Sequence, residues 1–136
     1  VAELTDEAIA VHVEHGSRVP TMQSTMHLYP MSGAVQDVDA GATAFAHRDA
    51  DFAMNIVGAW PDPADTEART AWVREYYEAV HPHSGYEGGY TNFSAAEDQA
   101  RVRESYGPAY DRLARIKAEW DPENVFRLNQ NIEPAP

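Results

Sequence analysis

Apolar side chains in the first thirty residues follow a helical spacing and then a strand spacing. Thr5 precedes a segment with two acidic residues in its first turn, and Gly16 follows its last apolar position, which predicts a helix capped by Thr5. From Thr25 to Tyr29 apolar and polar residues alternate. This alternation predicts a β-strand with Met26 and Leu28 on one face.

The segment ATAFAHRDADFAMNIVGAW predicts two further strands. The strands cover Ala42 to His47 and Phe52 to Trp60, and the polar residues Arg48 to Asp51 suit a turn between antiparallel neighbours. Both faces of the second strand are largely apolar, so we expect it to lie at the centre of the sheet.

A helix is predicted after these strands, because apolar residues recur there every three or four positions. It begins at Asp62 or Asp65 and ends at the pair His81 and Pro82. Its apolar stripe consists of Ala68, Trp72, Val73, Tyr76, Ala79 and Val80. This stripe is typical of a helix that packs on a core.

Two more helices are predicted in the last third of the chain. Ser94 and Glu97 form a capping box that starts the first of them near Ala95. Gly107 and Pro108 break this helix, and the next one has apolar residues at helical spacing from Tyr110 to Trp120. It stops at Asp121-Pro122, where a turn leads into an extended polar tail.

This order of elements predicts an α+β fold, with an antiparallel sheet covered on one face by helices and a helical C-terminal tail. The strands and helices do not alternate as they do in a doubly wound parallel sheet. We divide the chain into residues 1–89, which hold the sheet and its helices, and residues 90–136. We expect the two parts to form one structural unit.

The charge of the chain limits its partners. The sequence has 136 residues and a net charge of −12, which disfavours nucleic acid and anionic membrane surfaces. No apolar run approaches the ~18 residues of a membrane-spanning helix, and no signal-peptide pattern is present at the amino terminus, so we expect a cytoplasmic protein. The first residue is Val1, which leaves open whether the chain is a piece of a longer product.

Residue types that hold metals are scarce. The chain has no cysteine, which excludes disulfides, thiolate nucleophiles and cysteine metal sites. His81 and His83 flank a proline and have no paired third ligand, so they are a weak indication of zinc, and we predict no metal site.

The stretch EGGYTNF carries the candidate chemistry. If Tyr90 and Asn92 lie in an extended segment, their side chains share one face, about 7 Å apart, and look into one cavity. The preceding Gly88 and Gly89 allow the backbone to approach a flat ligand closely. The alternative is that Tyr90 is a buried aromatic residue with a satisfied hydroxyl and that Asn92 caps a turn.

The last forty-odd residues resemble the carboxy-terminal region of berberine bridge enzyme-like flavin oxidoreductases. The resemblance is carried by YTNFSAAED and by YGPAYDRLARIKAEWDPENVFRLNQNIEP. The matching positions are Tyr90, Asn92, Phe93, Tyr110, Arg112, Leu113, Lys117, Asp121 to Phe126 and Asn129 to Pro134. The segments HRDADFAMNIVGAW and TAWVREYYEAV are similar to the substrate-domain sheet of that family, more loosely.

The resemblance implies an FAD-dependent oxidoreductase that transfers a hydride from a hydroxyl- or amine-bearing carbon of a small-molecule substrate to the flavin. It also implies an FAD-binding domain, in the same longer chain or in a separate one, and no activity without it. This sequence matches only the substrate side. The alternative is a flavin-free binding or interaction module that kept the fold and lost the FAD-binding half, and a metal-dependent enzyme ranks third.

The resemblance assigns Tyr90 as the catalytic base and Asn92, Asn129 and Asn131 as contacts of the FAD. A free phenol has a pKa of ~10, so a base of this type needs a neighbouring donor or positive charge. The two asparagines of the tail can equally satisfy backbone groups.

Three basic residues, His47, Arg48 and Lys117, are predicted to have structural roles. We interpret Lys117 as an ion-pair or snorkelling side chain. His47 and Arg48 fit a solvated turn better than a substrate contact. We also expect an exposed apolar face that favours homo-oligomers.

Overall fold

The computed structural model describes residues 1–94 and 99–136. Helices and one antiparallel sheet make up its regular structure, so the predicted α+β class is confirmed. The chain forms two compact units, each built from two segments. The first unit contains residues 1–32 and 50–86, and the second contains residues 33–49 and 87–136.

The first unit contains two helices and the sheet. Its elements are α1 (Asp6–Gly16), β1 (Thr25–Pro30), β2 (Phe52–Val57) and α2 (Thr66–Val80). Thr5 caps α1 as predicted, since its hydroxyl accepts a hydrogen bond of 3.2 Å from the backbone N–H of Ala8. A 3-10 turn at Pro63–Asp65, capped by Asp62, leads into α2.

The sheet differs from the prediction in its pairing. β1 and β2 are antiparallel, with Thr25 opposite Val57 and Pro30 opposite Phe52. The predicted strand from Ala42 to His47 is wrong, because this segment has no strand structure and belongs to the second unit. Within the described residues the sheet has two strands, so β2 has one neighbouring strand and is not central.

Both faces of β2 are apolar although the strand is not central. Packing against a helix accounts for this composition. α2 packs against the strand, and a Cβ added at Gly58, directly after β2, would lie 2.7 Å from Val73 of α2. On β1 the predicted alternation is confirmed, since Met26 and Leu28 are half-buried while His27 and Tyr29 are exposed.

The core of the first unit lies between α1 and α2. Ala8 and Val80 are buried there, together with a hydrogen-bonded pair in which the Nδ1 atom of His12 lies 2.8 Å from the hydroxyl of Tyr76. Burial lowers the pKa of His12 and raises the pKa of Tyr76, because the charged form of each side chain is disfavoured away from water. The ring of His15 stacks on Tyr76 with the centroids 5.1 Å apart.

The second unit contains α3 (Gln99–Tyr106) and α4 (Tyr110–Trp120). The helices are separated by a 3-10 turn at Gly107–Ala109, so the break predicted at Gly107 and Pro108 is confirmed. The predicted capping box and helix start at Ser94, Ala95 and Glu97 extend into residues 95–98, outside the described residues.

α4 ends where the sequence predicts. The backbone N–H of Asn124 donates to the carbonyl of Asp121 at 3.0 Å, which closes the turn containing Pro122. The carboxylate of Asp121 also pairs with Lys117, and the hydrogen bond from Lys117 lowers the pKa of Asp121. Lys117 is therefore an ion-pair residue.

The extended polar segment predicted after this turn is non-helical, and it packs on α3 and α4, which are the predicted helical part of the C-terminal region. Its Ile132 and Ala135 lie against the buried residues Val102, Tyr110 and Ala114. Gln99 donates to the carbonyl of Asn131 at 2.9 Å, and the backbone N–H of Ala135 donates to the carbonyl of Ala114 at 3.0 Å.

None of the helices in the described ranges has the length and hydrophobicity needed to cross a bilayer.

Candidate functional site

The candidate site is a cleft of about 170 Å³ in the second unit. It is formed by the segment before β2, by the loop around Tyr90 and by the end of α3. Its lining residues are Ala44, Phe45, His47, Gly89, Tyr90, Thr91, Asn92, Ser105 and Tyr106. The structure thus brings together the predicted pair Tyr90 and Asn92 with residues that lie more than forty positions earlier.

Tyr90 and Asn92 meet by a different geometry from the predicted one. Thr91–Phe93 is a 3-10 turn, so the expected extended segment is wrong beyond Tyr90. The turn brings the two side chains into direct contact, because the Nδ2 atom of Asn92 donates to the hydroxyl of Tyr90 at 2.7 Å. Tyr90 is 39% exposed and therefore is not a buried core residue.

Aromatic rings surround the side chain of Tyr90. Phe45 contacts it edge to face with the ring centroids 5.8 Å apart, and Phe93 does so at 5.0 Å. Phe45 also meets the ring of His47 edge to face at 6.1 Å, and the guanidinium of Arg48 lies 5.0 Å from the centroid of Phe45. Edge-to-face contacts of this kind fix ring orientation, so the hydroxyl of Tyr90 has a defined position in the cleft.

His47 and Arg48 are half-buried, and Arg48 lies in a turn with the exposed Asp49, so the predicted turn is present but less solvated than expected. Burial lowers the pKa of His47, while hydrogen bonds to the backbone of Gly89 and Ser105 act in the opposite direction. Arg48 donates to the carbonyl of Val35 and to the hydroxyl of Thr43, at 3.2 and 2.8 Å. Its contacts hold this segment in a loop and explain the absence of a strand here.

The two glycines before Tyr90 have different surroundings. A Cβ atom at Gly88 would lie 2.5 Å from the backbone of Glu104 and Ser105 in α3, so this glycine allows the loop to approach the helix. A Cβ atom at Gly89 would meet nothing within 4 Å. The backbone N–H of Gly89 donates to the hydroxyl of Ser105 at 3.1 Å, which joins the loop to the helix. Only Gly89 leaves open space on the cleft side.

Asn129 and Asn131, the other predicted contacts of the cofactor, do not line this cleft. Asn129 is exposed and has a φ of 60°. The side-chain oxygen of Asn131 is buried and has no hydrogen-bond partner among the described residues. Their role at an FAD remains a prediction.

The sequence reasoning missed Phe45, Ser105 and Tyr106 as wall residues, because their place in the cleft depends on tertiary packing.

His81 and His83 lie in a 3-10 turn after α2. Among the described residues there is no group of three or more side chains suited to a metal ion.

Comparison with solved structures shows which proteins share this fold. The glycopeptide hexose oxidase DBV29 superposes on 97% of the chain with a TM-score of 0.84 and 26% sequence identity, over 30% of its own length. Among curated proteins, the uncharacterized FAD-linked oxidoreductase YgaK of Bacillus subtilis is 29% identical over 96% of the chain. Aclacinomycin-N/aclacinomycin-A oxidase of Streptomyces galilaeus is 32% identical over 79% of it. The fold is thus that of a part of FAD-linked oxidoreductases.

The particular family follows from the last third of the chain. Residues 89–133 match the family model described as berberine and berberine like. The chain is a homologue of the berberine bridge enzyme-like FAD-linked oxidoreductases, and the resemblance read from its sequence is confirmed. It spans 29% of the length of YgaK and 23% of the Streptomyces oxidase.

Proposed function

We propose that this chain is the substrate-side part of an FAD-dependent oxidoreductase and that Tyr90 is its catalytic base. The substrate is a small molecule that loses a hydride from a hydroxyl- or amine-bearing carbon. The observation that supports the proposal best is the position of Tyr90, which is 39% exposed, lines the cleft and has its hydroxyl bonded to Asn92. Both residues lie inside the segment that matches the family model.

The dimensions of the cleft suit one wall of a larger site. Small-molecule sites typically have volumes of about 300–1,000 Å³, and this cleft has about 170 Å³. A site of the usual size therefore needs a second wall from another part of the protein. This requirement agrees with a partner domain that holds most of the FAD.

The donors in the cleft suit the edge of a flat ring better than a phosphate. They include a phenol, a carboxamide and a hydroxyl, and Gly89 has open space where a Cβ atom would lie. The described lining of the cleft contains no lysine or arginine, and the guanidinium of Arg48, which follows the lining residue His47, donates to Val35 and Thr43. The carboxamide of Asn92 would therefore hold the edge of the flavin ring, and Gly89 would leave room for that ring, with Asn129 and Asn131 as further contacts. When bound, the FAD accepts the hydride.

The contribution of Tyr90 is the movement of a proton. As base, its phenolate oxygen accepts the proton of the substrate hydroxyl or amine. Asn92 donates a hydrogen bond to that oxygen, and such a bond strengthens when the acceptor carries negative charge. The contacts of Phe45 and Phe93 keep the ring in place. Asn92 and these rings therefore position the base.

Replacing Tyr90 by phenylalanine tests this role in the complete enzyme that joins the chain to its FAD-binding half. We expect turnover to fall by about 10²- to 10⁴-fold, the usual effect of losing a general base, while the absorbance of bound flavin stays normal. Steady-state kinetics and the flavin spectrum measure the two quantities.

Tyr106→Phe is the matched control, since Tyr106 lines the same cleft and also carries a phenol. We expect this variant to keep its turnover within a few-fold of the unmodified enzyme. Equal turnover of Tyr90→Phe and the unmodified enzyme would exclude Tyr90 as the base.

A further inference from the structure

His47 contacts the other two segments that form the candidate cleft. It lies in the segment before β2, and its imidazole hydrogen-bonds to the backbone of Gly89, in the loop before Tyr90, and to that of Ser105, in α3. Its ring also meets Phe45 edge to face, with the centroids 6.1 Å apart and an angle of 83° between the ring planes. One side chain thus joins parts of the chain that are distant in the sequence.

The first connection between His47 and Tyr90 runs through the backbone. The bond to Gly89 acts to raise the pKa of His47, so the imidazole donates it and the carbonyl oxygen accepts it. That carbonyl belongs to the planar peptide unit that joins Gly89 to Tyr90. Holding this plane restricts the direction in which the side chain of Tyr90 leaves the backbone.

Gly89 is hydrogen-bonded through its N–H group as well. This N–H donates to the hydroxyl of Ser105 at 3.1 Å, and the hydroxyl, in a residue that is 9% exposed, donates to the carbonyl of Arg101 at 2.8 Å. Glycine has no Cβ atom to restrict its φ and ψ angles. Hydrogen bonds to His47 and Ser105 therefore fix the backbone directly before Tyr90, where a glycine by itself would leave it free.

The second connection runs through aromatic rings. Phe45 makes edge-to-face contacts with both side chains, because its ring plane lies at 83° to the imidazole of His47 and at 86° to the phenol of Tyr90. The centroids of Phe45 and Tyr90 are 5.8 Å apart. Contacts of this geometry favour one relative orientation of the rings. Loss of the imidazole would give Phe45 room to rotate, and the phenol would lose part of its support.

The charge state of His47 is compatible with a role in holding its neighbours. Burial lowers its pKa, so the imidazole is neutral near pH 7 and has one N–H group to donate. The backbone carbonyls accept from this group. The side chain therefore orients its surroundings without bringing a formal charge into the cleft.

We propose that His47 is the positioning residue of Tyr90, and that it sets the direction of the phenol hydroxyl by holding the backbone of Gly89 and the ring of Phe45. This inference rests on the proposed function, in which Tyr90 is the base. A reacting group that is misplaced by about 1 Å can lower a rate by about 10²-fold. His47 should therefore affect the rate of the chemical step and not the retention of flavin.

His47→Ala tests the proposal in the complete enzyme that joins this chain to its FAD-binding half. We expect kcat to fall by about 10- to 100-fold, with little change in KM, because the lost contacts act on the base and not on substrate binding. His47→Asn and His47→Gln each keep an N–H donor, and at least one of them should recover most of the lost turnover. Steady-state kinetics, expressed per bound flavin, measures these values.

A double-mutant cycle with Tyr90 separates positioning from other effects. Tyr90→Phe removes the hydroxyl that His47 positions, so His47→Ala should lower turnover no further in that background. His12→Ala is the matched control, since His12 is a hydrogen-bonded histidine with 9% exposure in the first unit and does not line the cleft. Its turnover per bound flavin should stay near that of the unmodified enzyme. Circular dichroism shows whether each variant is folded.

Four results would overturn the role of His47. They are normal turnover of His47→Ala, an equal fractional loss from His47→Ala with and without the Tyr90 hydroxyl, carboxamide variants that are no better than alanine, and loss of the flavin from His47→Ala. If Tyr90→Phe lowers turnover and His47→Ala does not, the positioning role fails alone. If Tyr90→Phe has no effect, the catalytic proposal fails and the positioning role fails with it.

Discussion

At the scale of single residues, the described part of the chain includes two histidine–tyrosine pairs that have the same hydrogen bond in different surroundings. In each pair the Nδ1 atom of the histidine lies 2.8 Å from the tyrosine hydroxyl. The pair of His12 and Tyr76 is buried between α1 and α2, whereas His27 and Tyr29 are exposed on β1. Water can replace the partner only in the exposed pair. The cost of breaking the bond should therefore differ.

We predict that Tyr76→Phe lowers the free energy of unfolding by about 1–3 kcal/mol, the cost of leaving a buried polar atom unsatisfied. Tyr29→Phe removes the matched hydroxyl and should change the free energy of unfolding by no more than about 0.5 kcal/mol. Chemical denaturation of the two variants and the unmodified chain measures both values. Equal values for the two variants would contradict the argument from burial.

At the scale of elements, the cleft depends on how closely the loop before Tyr90 approaches α3. Gly88 lies against the backbone of Glu104 and Ser105, where a side chain has no room. Gly89 lies next to it in the sequence and has free space. The pair GG therefore contains one glycine required by packing and one that leaves the cleft open.

Alanine substitutions at Gly88 and Gly89 should differ in their effect on the free energy of unfolding. Gly88→Ala forces the loop away from α3, and we expect a loss of about 1–3 kcal/mol in unfolding free energy, as for other overpacked sites. Gly89→Ala should stay within about 0.5 kcal/mol of the unmodified chain. Thermal or denaturant unfolding compares the two. A larger loss for Gly89→Ala would show that the loop packs differently.

At the scale of the whole molecule, the chain spans less than a third of the relatives described above. Its described cleft is below the usual volume of a small-molecule site. A site of this size offers few contacts to a cofactor as large as FAD. Binding of FAD should therefore depend on the additional part of the protein.

We predict that the isolated chain stays colourless or nearly so after incubation with FAD and removal of the free cofactor. The visible absorbance of flavin measures retention. Joined to its FAD-binding half, the same chain should belong to a yellow protein. A chain that stays colourless in every such combination would favour the flavin-free binding module, and strong binding by the isolated chain would contradict the division of the site.

The sequence by itself determined the features that rest on local chemistry or on a long motif. Thr5 and Gly16 determine the bounds of α1, and Pro122 determines the end of α4. Each of these residues acts on the nearest backbone groups. The family was likewise visible in the spacing of residues from Tyr90 onward. Tyr90 and Asn92 were paired correctly, although through a 3-10 turn.

Tertiary structure alone decided which distant segments meet. The strand predicted from Ala42 to His47 is a loop whose Phe45 and His47 line the cleft, because Arg48 and the ring contacts of Phe45 outweigh the local alternation of apolar residues. Equally, periodicity predicts the apolar stripe of α4 but not which of its residues are covered, since Tyr110 is buried and Trp120 is 79% exposed. Burial depends on neighbours that are far apart in the chain, and spacing along one segment contains no information about them.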